Sequence, residues 1–129
     1  MIPDVSPEAR EWWEATRERR LLVQSCDGCG HRQHYPRAIC KGCGRTDLGW
    51  VEAEGGGTVY SFTHSHRSPD PSSLKPPYTI AIVILDEGPR LLTTVTGDGI
   101  RCDMRVRLGW KPLDDGRYLP VFETDPEEA

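Results

Sequence analysis

The residues with the clearest chemistry in this sequence are cysteines, and four of the five form two closely spaced pairs. Each pair has two residues between its cysteines and a glycine directly after it, and ten residues separate the pairs. Two thiolates in one tight turn can hold a metal ion, and the glycine tolerates the backbone angle that such a turn needs. We therefore predict one structural zinc site with the ligands Cys26, Cys29, Cys40 and Cys43.

The same cysteine pattern allows other interpretations. Iron of the rubredoxin type is the alternative metal, because it binds four thiolates from similar turns. Disulfides are disfavoured because Met1 and Ile2 are followed by Pro3 and Asp4 rather than by a basic and then apolar leader. A catalytic zinc is disfavoured because four thiolates leave no open position for water.

The remaining reactive side chains do not form a catalytic constellation. We expect His31 and His34, which lie between the cysteine pairs, on the surface. Cys102 stands alone in a strand-rich segment, which predicts a small buried hydrophobic side chain. Ser61 lies near His64 but lacks the context of a nucleophile elbow. We therefore expect no catalytic activity from this chain alone.

The charge distribution limits the kinds of partner. The formal net charge is -4, and residues 1–50 hold eight basic and seven acidic side chains. Residues 51–129 hold eight basic and thirteen acidic ones, so only the N-terminal part offers a basic face. This balance disfavours a chain that neutralises nucleic-acid phosphates along its length. No stretch approaches the roughly 18 apolar residues of a membrane span, so we expect a cytoplasmic protein.

Three units along the chain must position the metal site. The first unit is residues 1–20. Ser6 as N-cap and Pro7 at the first helical position predict a helix that runs to about Arg20. Trp12 and Trp13 lie side by side on this helix. They either cap the protein's own core or dock on a partner, where Trp and Arg are favoured anchors.

The rest of the chain divides at a glycine run. Residues 21–54 show no sustained helical or strand period, which predicts a ribbon stapled by the metal. In residues 55–129, five segments rich in β-formers are separated by turn residues. They are Thr58–His64, Tyr78–Leu85, Leu91–Thr96, Met104–Trp110 and Tyr118–Phe122. Because closure removes exposed strand edges, we predict a small OB-type barrel, with a proline-rich loop over residues 65–77 and an acidic tail.

Several motifs in order resemble one known family over nearly the whole chain. They are Tyr35-Pro36-Arg37-Ala38-Ile39-Cys40, Trp50, Gly55-x-Gly57-Thr58-Val59-Tyr60-Ser61-x-Thr63, Pro77-Tyr78, Asp86-Glu87-Gly88, Met104-x-Val106 and Phe122. Together they resemble the acyl-CoA-associated family known as domain of unknown function thirty-five. Lys41 and Asp103 depart from its pattern, because the family often has proline and glycine there.

The resemblance implies a mainly β protein with an N-terminal helix, a rubredoxin-like zinc ribbon and a C-terminal five-stranded OB-fold barrel. It also implies an accessory subunit of a thiolase-like enzyme or a lipid-transfer-protein-like aldolase, acting on acyl-CoA in steroid side-chain or lipid degradation. Such a subunit helps to form the acyl-CoA site and stabilises the complex.

A CoA thioester carries phosphates, so the basic N-terminal half is the expected side of contact. The candidate residues for contact with CoA or the partner are Arg37, Arg19, Arg20, Arg45, Trp12, Trp13, Tyr60 and Tyr78. The alternative function is single-stranded nucleic-acid binding, because OB barrels serve there with stacking aromatics and a basic groove.

Overall fold

The structure, a computed structural model, describes residues 7–67 and 77–124. A 3-10 turn over Pro7–Ala9 leads into helix α1 over Arg10–Thr16. Ser6, the predicted N-cap, lies outside the described residues, as do residues 68–76 of the proline-rich loop and residues 125–129 of the acidic tail. Among the described residues, no helix has the length and apolar character that crossing a bilayer requires.

The helix ends earlier than predicted because a Schellman motif closes it. The backbone N–H of Arg20 donates to the carbonyl of Ala15 at 3.1 Å, and that of Arg19 donates to Thr16 at 2.9 Å. Arg19 has a φ of 57°, the left-handed conformation that this motif places just after the helix. Residues 17–20 are therefore a capping turn rather than a further helical turn.

A three-stranded antiparallel sheet follows the helix. It consists of β1 over Leu22–Cys26, β2 over Arg32–Gln33 and β3 over Leu48–Glu52, with β1 in the centre. The burial pattern explains why the sequence predicted no strands here. Four of the five residues of β1 are buried, so the strand lacks the alternation of a half-exposed strand.

Five longer strands close into the predicted barrel. They are β4 (Gly56–Ser65), β5 (Tyr78–Leu85), β6 (Arg90–Thr96), β7 (Arg105–Pro112) and β8 (Tyr118–Thr124). Their order around the barrel is β4-β5-β6-β8-β7, and only the β6–β8 pair is parallel. All five predicted strands are confirmed, and β5 has the predicted bounds. Their β-forming residues and the turn residues between them identified these strands. Alternation was visible in Met104–Trp110, because one face of that strand lies in the barrel interior.

One hydrophobic core joins the three units. The barrel contributes fully buried side chains such as Val59, Val83 and Phe122. Trp12 of α1 and Val23 of β1 belong to the same cluster. Trp12 is only 5% exposed. This tryptophan therefore caps the protein's own core, which was the first of the two interpretations. Its side chain has little surface left for a partner.

The prediction that Cys102 is a buried hydrophobic residue is wrong. Cys102 is exposed and lies in a turn between β6 and β7 rather than in a strand. The backbone N–H of Met104 closes this turn on the carbonyl of Arg101, and Asp103 has a φ of 66°. The family that this sequence resembles often has glycine at position 103. Glycine adopts a left-handed backbone without steric cost, which explains that preference.

Candidate functional site

The two cysteine pairs fold into two matching turns. In the first, the N–H of Gly30 donates to Cys26 at 2.9 Å, and the N–H of Cys26 donates to His31 at 2.8 Å. In the second, Gly44 donates to Cys40 at 2.9 Å, and Cys40 donates to Arg45 at 2.8 Å. The two glycines have φ angles of 78° and 77°, as the spacing predicted.

These turns bring four sulfur atoms together. The Sγ atoms of Cys26, Cys29, Cys40 and Cys43 all lie within 4.8 Å of one another. The distances are 3.6 Å between Cys26 and Cys43 and 3.7 Å between Cys29 and Cys40. A zinc ion bound at about 2.3 Å by four tetrahedral sulfurs separates them by about 3.8 Å. The four thiols therefore fit one metal ion with a closed coordination sphere.

The four thiol groups influence one another's ionisation. Burial opposes ionisation of Cys40, but the backbone N–H groups of Cys43 and Gly42 and the neighbouring thiols lower its pKa to about 7. For Cys29, the backbone N–H of His31 favours ionisation, but burial and the three other thiols raise its pKa to about 12. The cluster thus holds back full ionisation by mutual repulsion, which a bound divalent cation relieves.

Two buried glutamines organise the segment between the turns, and the sequence analysis missed both. Gln24 of β1 and Gln33 of β2 are each 4% exposed and face each other across the sheet. Gln33 Nε2 donates to Gln24 Oε1 at 2.7 Å. Their remaining amide atoms bond to the backbone of residues 37, 39 and 41. The backbone groups that these glutamines bind lie on a loop that has no helical or strand periodicity. No local sequence pattern therefore indicates the role of the two glutamines.

The two histidines in this segment have different environments. His31 is exposed, as expected. His34 is half-buried, contrary to the prediction, and its ring centroid lies 5.5 Å from that of Trp12 and 4.3 Å from that of Tyr35. Burial lowers the pKa of His34 to about 4. Helix α1 covers the side of the ribbon that carries His34. The contact between Trp12 and His34 joins residues far apart in the chain, so the sequence pattern did not indicate it.

The predicted arginines fall into two groups. Arg37 and Arg45 are exposed on the ribbon. Arg19 and Arg20 line a cleft where the ribbon meets the barrel, together with Arg105 and Arg107 of β7. The last two were not predicted as site residues, although they alternate with apolar residues on that strand.

The arginines of this cleft are held mostly by exposed carboxylates. Arg20 Nε contacts Glu52 at 2.5 Å. Both terminal nitrogens of Arg105 bond to Asp86, at 2.7 and 2.9 Å, which lowers the pKa of that carboxyl group. The cleft therefore carries arginines in fixed positions, with Glu52 and Glu54 also on its wall.

Trp12 and Trp13 contact each other, with ring centroids 4.7 Å apart, but the other candidate aromatic residues lie elsewhere. Trp13 packs against the core, with the Arg117 guanidinium 5.0 Å from its ring centroid. Tyr60 is 47% exposed on the barrel, with Arg90 stacked 4.2 Å from its ring centroid. Tyr78 is half-buried at the start of β5. The structure does not gather the predicted contact residues into one patch.

Comparisons with known proteins match both parts of this architecture. The model for the ChsH2 rubredoxin-like zinc ribbon domain matches residues 13–49. The model for the ChsH2 C-terminal OB-fold domain matches residues 50–111. A chain of the solved Ltp2-ChsH2(DUF35) aldolase has a TM-score of 0.86 and 39% identity, over 95% of this chain and 98% of that one. A DUF35-family structure from Sulfolobus solfataricus, at 16% identity, shares the fold with a TM-score of 0.70 over 94% of this chain and 87% of that one.

Two curated relatives extend the match. The "Probable enoyl-CoA hydratase alpha subunit" of Thermomonospora curvata is 40% identical over 93% of this chain, which spans only 38% of that relative. The "DUF35 domain-containing scaffold protein" of Pyrococcus furiosus is 31% identical over 92% of this chain and 93% of its own length. With a zinc ribbon, an OB barrel and a relative matched over both full lengths, the chain belongs to the DUF35 family.

Proposed function

We propose that this chain is a non-catalytic accessory subunit of a thiolase-fold enzyme, an aldolase or a thiolase, that acts on acyl-CoA in steroid side-chain or lipid degradation. The observation that carries the proposal is the likeness to a chain of the Ltp2-ChsH2(DUF35) aldolase, which extends over 98% of that chain. Two relatives named as CoA hydratase alpha subunits support a role beside an enzyme. A reducing compartment such as the cytoplasm suits a site of four thiolates.

The arginine-lined cleft is the proposed contact site for the CoA part of the substrate. Arg19, Arg20, Arg105 and Arg107 line it, and the last three are paired with Glu52, Asp86 and Glu123. The ion pairs of these arginines are about half exposed, and such pairs contribute little to stability. A CoA phosphate can therefore replace a carboxylate at a guanidinium without a large cost in folding free energy.

Co-expression with the enzyme subunit encoded beside this chain tests the proposal. We expect a complex of comparable stoichiometry on size-exclusion chromatography, and a partner that is poorly soluble or inactive alone. A partner that is fully active and monodisperse without this chain contradicts the accessory role. Binding of a single-stranded oligonucleotide at 50 mM salt supports the nucleic-acid alternative instead.

The cleft is tested separately by calorimetric titration of the complex with CoA. Replacing Arg105 by Gln should weaken CoA binding, because it removes a fixed guanidinium from the cleft wall. Arg10→Gln, at an exposed position of helix α1 outside this cleft, is the matched control and should leave CoA binding unchanged. Equal affinities for the two variants contradict the cleft as the CoA site but leave the accessory role standing.

A further inference from the structure

The segment between the two metal-binding turns displays side chains to solvent. Tyr35 is 56% exposed and Ile39 is 51% exposed, and Arg37 between them is also exposed. We call residues 35–39 the docking loop. Large apolar side chains exposed singly are common on protein surfaces, but here a tyrosine, an arginine and an isoleucine share five residues. Tyr and Arg are also among the residues that most often dominate the energy of protein interfaces.

The backbone of the docking loop is fixed from below by the two buried glutamines. Gln24 Oε1 accepts from the N–H of Arg37 at 2.8 Å, and Gln24 Nε2 donates to the Arg37 carbonyl at 2.8 Å. Gln33 Nε2 donates to the Ile39 carbonyl at 3.1 Å, and Gln33 Oε1 accepts from the N–H of Lys41 at 2.9 Å. Buried side chains thus hold both backbone groups of Arg37 and the carbonyl of Ile39 in a segment without regular secondary structure.

Two further contacts hold the ends of the loop. At one end, the Tyr35 ring lies against His34, which in turn lies against the buried Trp12. At the other end, Ile39 directly precedes the buried cysteine Cys40 of the metal cluster. A surface segment held in this way loses little conformational freedom when a partner binds, so more of its contact energy remains as affinity.

The charge of the loop indicates what the partner must offer. The Arg37 guanidinium pairs with no carboxylate in residues 7–67 and 77–124, whereas Arg17, Arg20, Arg105 and Arg107 each have one. An arginine that the fold leaves unpaired between two exposed apolar side chains suits a carboxylate at the edge of an apolar depression.

We propose that the docking loop is a preorganised contact site for the enzyme subunit, with Tyr35 and Ile39 in an apolar depression and Arg37 paired with a carboxylate at its rim. This inference rests on the accessory role proposed above and assigns that role to one surface of the ribbon. Gln24 and Gln33 are positioning residues, because they act through the loop backbone and do not face the partner.

Affinity measurements on the complex test the loop. Arg37→Glu and Ile39→Asp change exposed side chains, so both variants should fold and bind metal like the wild type. Each should weaken binding of the co-expressed enzyme subunit by about thirtyfold or more, as measured by biolayer interferometry, because central interface residues have effects of that size. In hydrogen exchange, residues 34–41 should gain protection in the complex.

Matched variants elsewhere make the result specific. Arg10→Glu makes the same charge change at an exposed arginine of helix α1. Leu92→Asp changes a similarly exposed aliphatic residue, 56% exposed, on the barrel. Both should bind the enzyme subunit as the wild type does. If these controls lose affinity while the loop variants keep it, the docking loop is wrong but the accessory role stands. If the wild-type chain itself does not bind the subunit, both proposals fail.

Two other occupants of the loop give distinct results. If the chain alone dimerises and Arg37→Glu abolishes that dimer without affecting the complex, the loop is a contact between copies and our inference is overturned. If Arg37→Glu weakens binding of CoA but not of the enzyme subunit, the loop is a ligand site and the inference is likewise overturned. An unchanged monomer with weaker subunit binding supports it.

Discussion

Burial controls the protonation of single residues in the ribbon, and His34 is the clearest case. Its ring packs on Trp12, and the pKa of the folded state falls to about 4 from an ordinary value of 6.5. Between these two values the unfolded chain binds a proton that the folded chain does not. The stability contributed by neutral His34 is therefore present above pH 6.5 and is lost as the pH falls towards 4.

We predict that His34→Gln flattens this pH dependence. Relative to the wild type, the free energy of unfolding of the variant should fall less between pH 6.5 and 4, by up to about 1.4 kcal/mol per pH unit. Urea unfolding of the metal-loaded protein at several pH values measures this, and release of the metal by acid cancels in the comparison. His31→Gln, with an exposed ring, is the control, and parallel curves for all three proteins contradict the prediction.

Close approach between strands decides which residues an element tolerates. Gly57 of β4 lies against β5, and a Cβ atom there would lie 2.5 Å from Val83 Cγ1 and 3.1 Å from the carbonyl oxygen of Ile84. Gly109 of β7 is less crowded, because its nearest neighbour to such an atom is Val121 Cγ2 at 3.7 Å. The glycine run that marks the start of the barrel therefore includes a packing requirement.

We predict that Gly57→Ala destabilises the protein by about 1 to 3 kcal/mol, because the added methyl group overpacks the barrel interior. Gly109→Ala, the matched change in another barrel strand, should have a much smaller effect. The midpoints of urea unfolding measure both. Equal midpoints for the two variants would show that β5 moves aside without cost.

At the scale of the whole molecule, helix α1 connects to the barrel through one fully buried hydroxyl group. Thr16 Oγ1 donates to the Trp13 carbonyl at 2.6 Å and accepts from the N–H of Tyr118 at 3.3 Å. Thr16 is 0% exposed. Beside it, Arg17 Nη1 donates to the carbonyl of Asp115 at 2.7 Å. The helix therefore covers the start of β8 as well as the ribbon.

We predict that Thr16→Val lowers the free energy of unfolding by about 1 to 3 kcal/mol, because the N–H of Tyr118 loses its buried acceptor. Thr16→Ser keeps the hydroxyl group and should retain most of the stability. Chemical denaturation measures both variants. If Thr16→Val is as stable as the wild type and Thr16→Ser is destabilised, packing of the methyl group and not the hydrogen bond joins the helix to the barrel.

The ribbon should depend on the metal for its stability, whereas the barrel should not. We predict that Cys40→Ser, or removal of the metal by a chelator, unfolds residues 21–50, because three short strands bury too little surface without the metal. The barrel should keep its protection in hydrogen exchange, since Val59, Val83 and Phe122 form its own interior. Simultaneous loss of protection in β4–β8 contradicts this separation. Metal analysis giving less than about half an equivalent of zinc or iron contradicts the site itself.

The sequence by itself determined the features that depend on neighbours along the chain. The cysteine spacing predicted the metal cluster, because two residues and a glycine define each turn locally. Runs of β-forming residues bounded by turn residues predicted the five barrel strands, because both signals are local. The presence of an N-terminal helix also followed from local signals, although the α-helix begins at Arg10, after a 3-10 turn over Pro7–Ala9.

Only the tertiary structure decided the features that join distant segments. It buried Trp12 and His34 together, exposed Cys102, and brought Arg19 and Arg20 beside Arg105 and Arg107. It also revealed Gln24 and Gln33 beneath the docking loop. The reason is the same in each case: a contact between residues far apart in the chain, or between a strand and a loop without period, leaves no repeat in the sequence that local reasoning can detect.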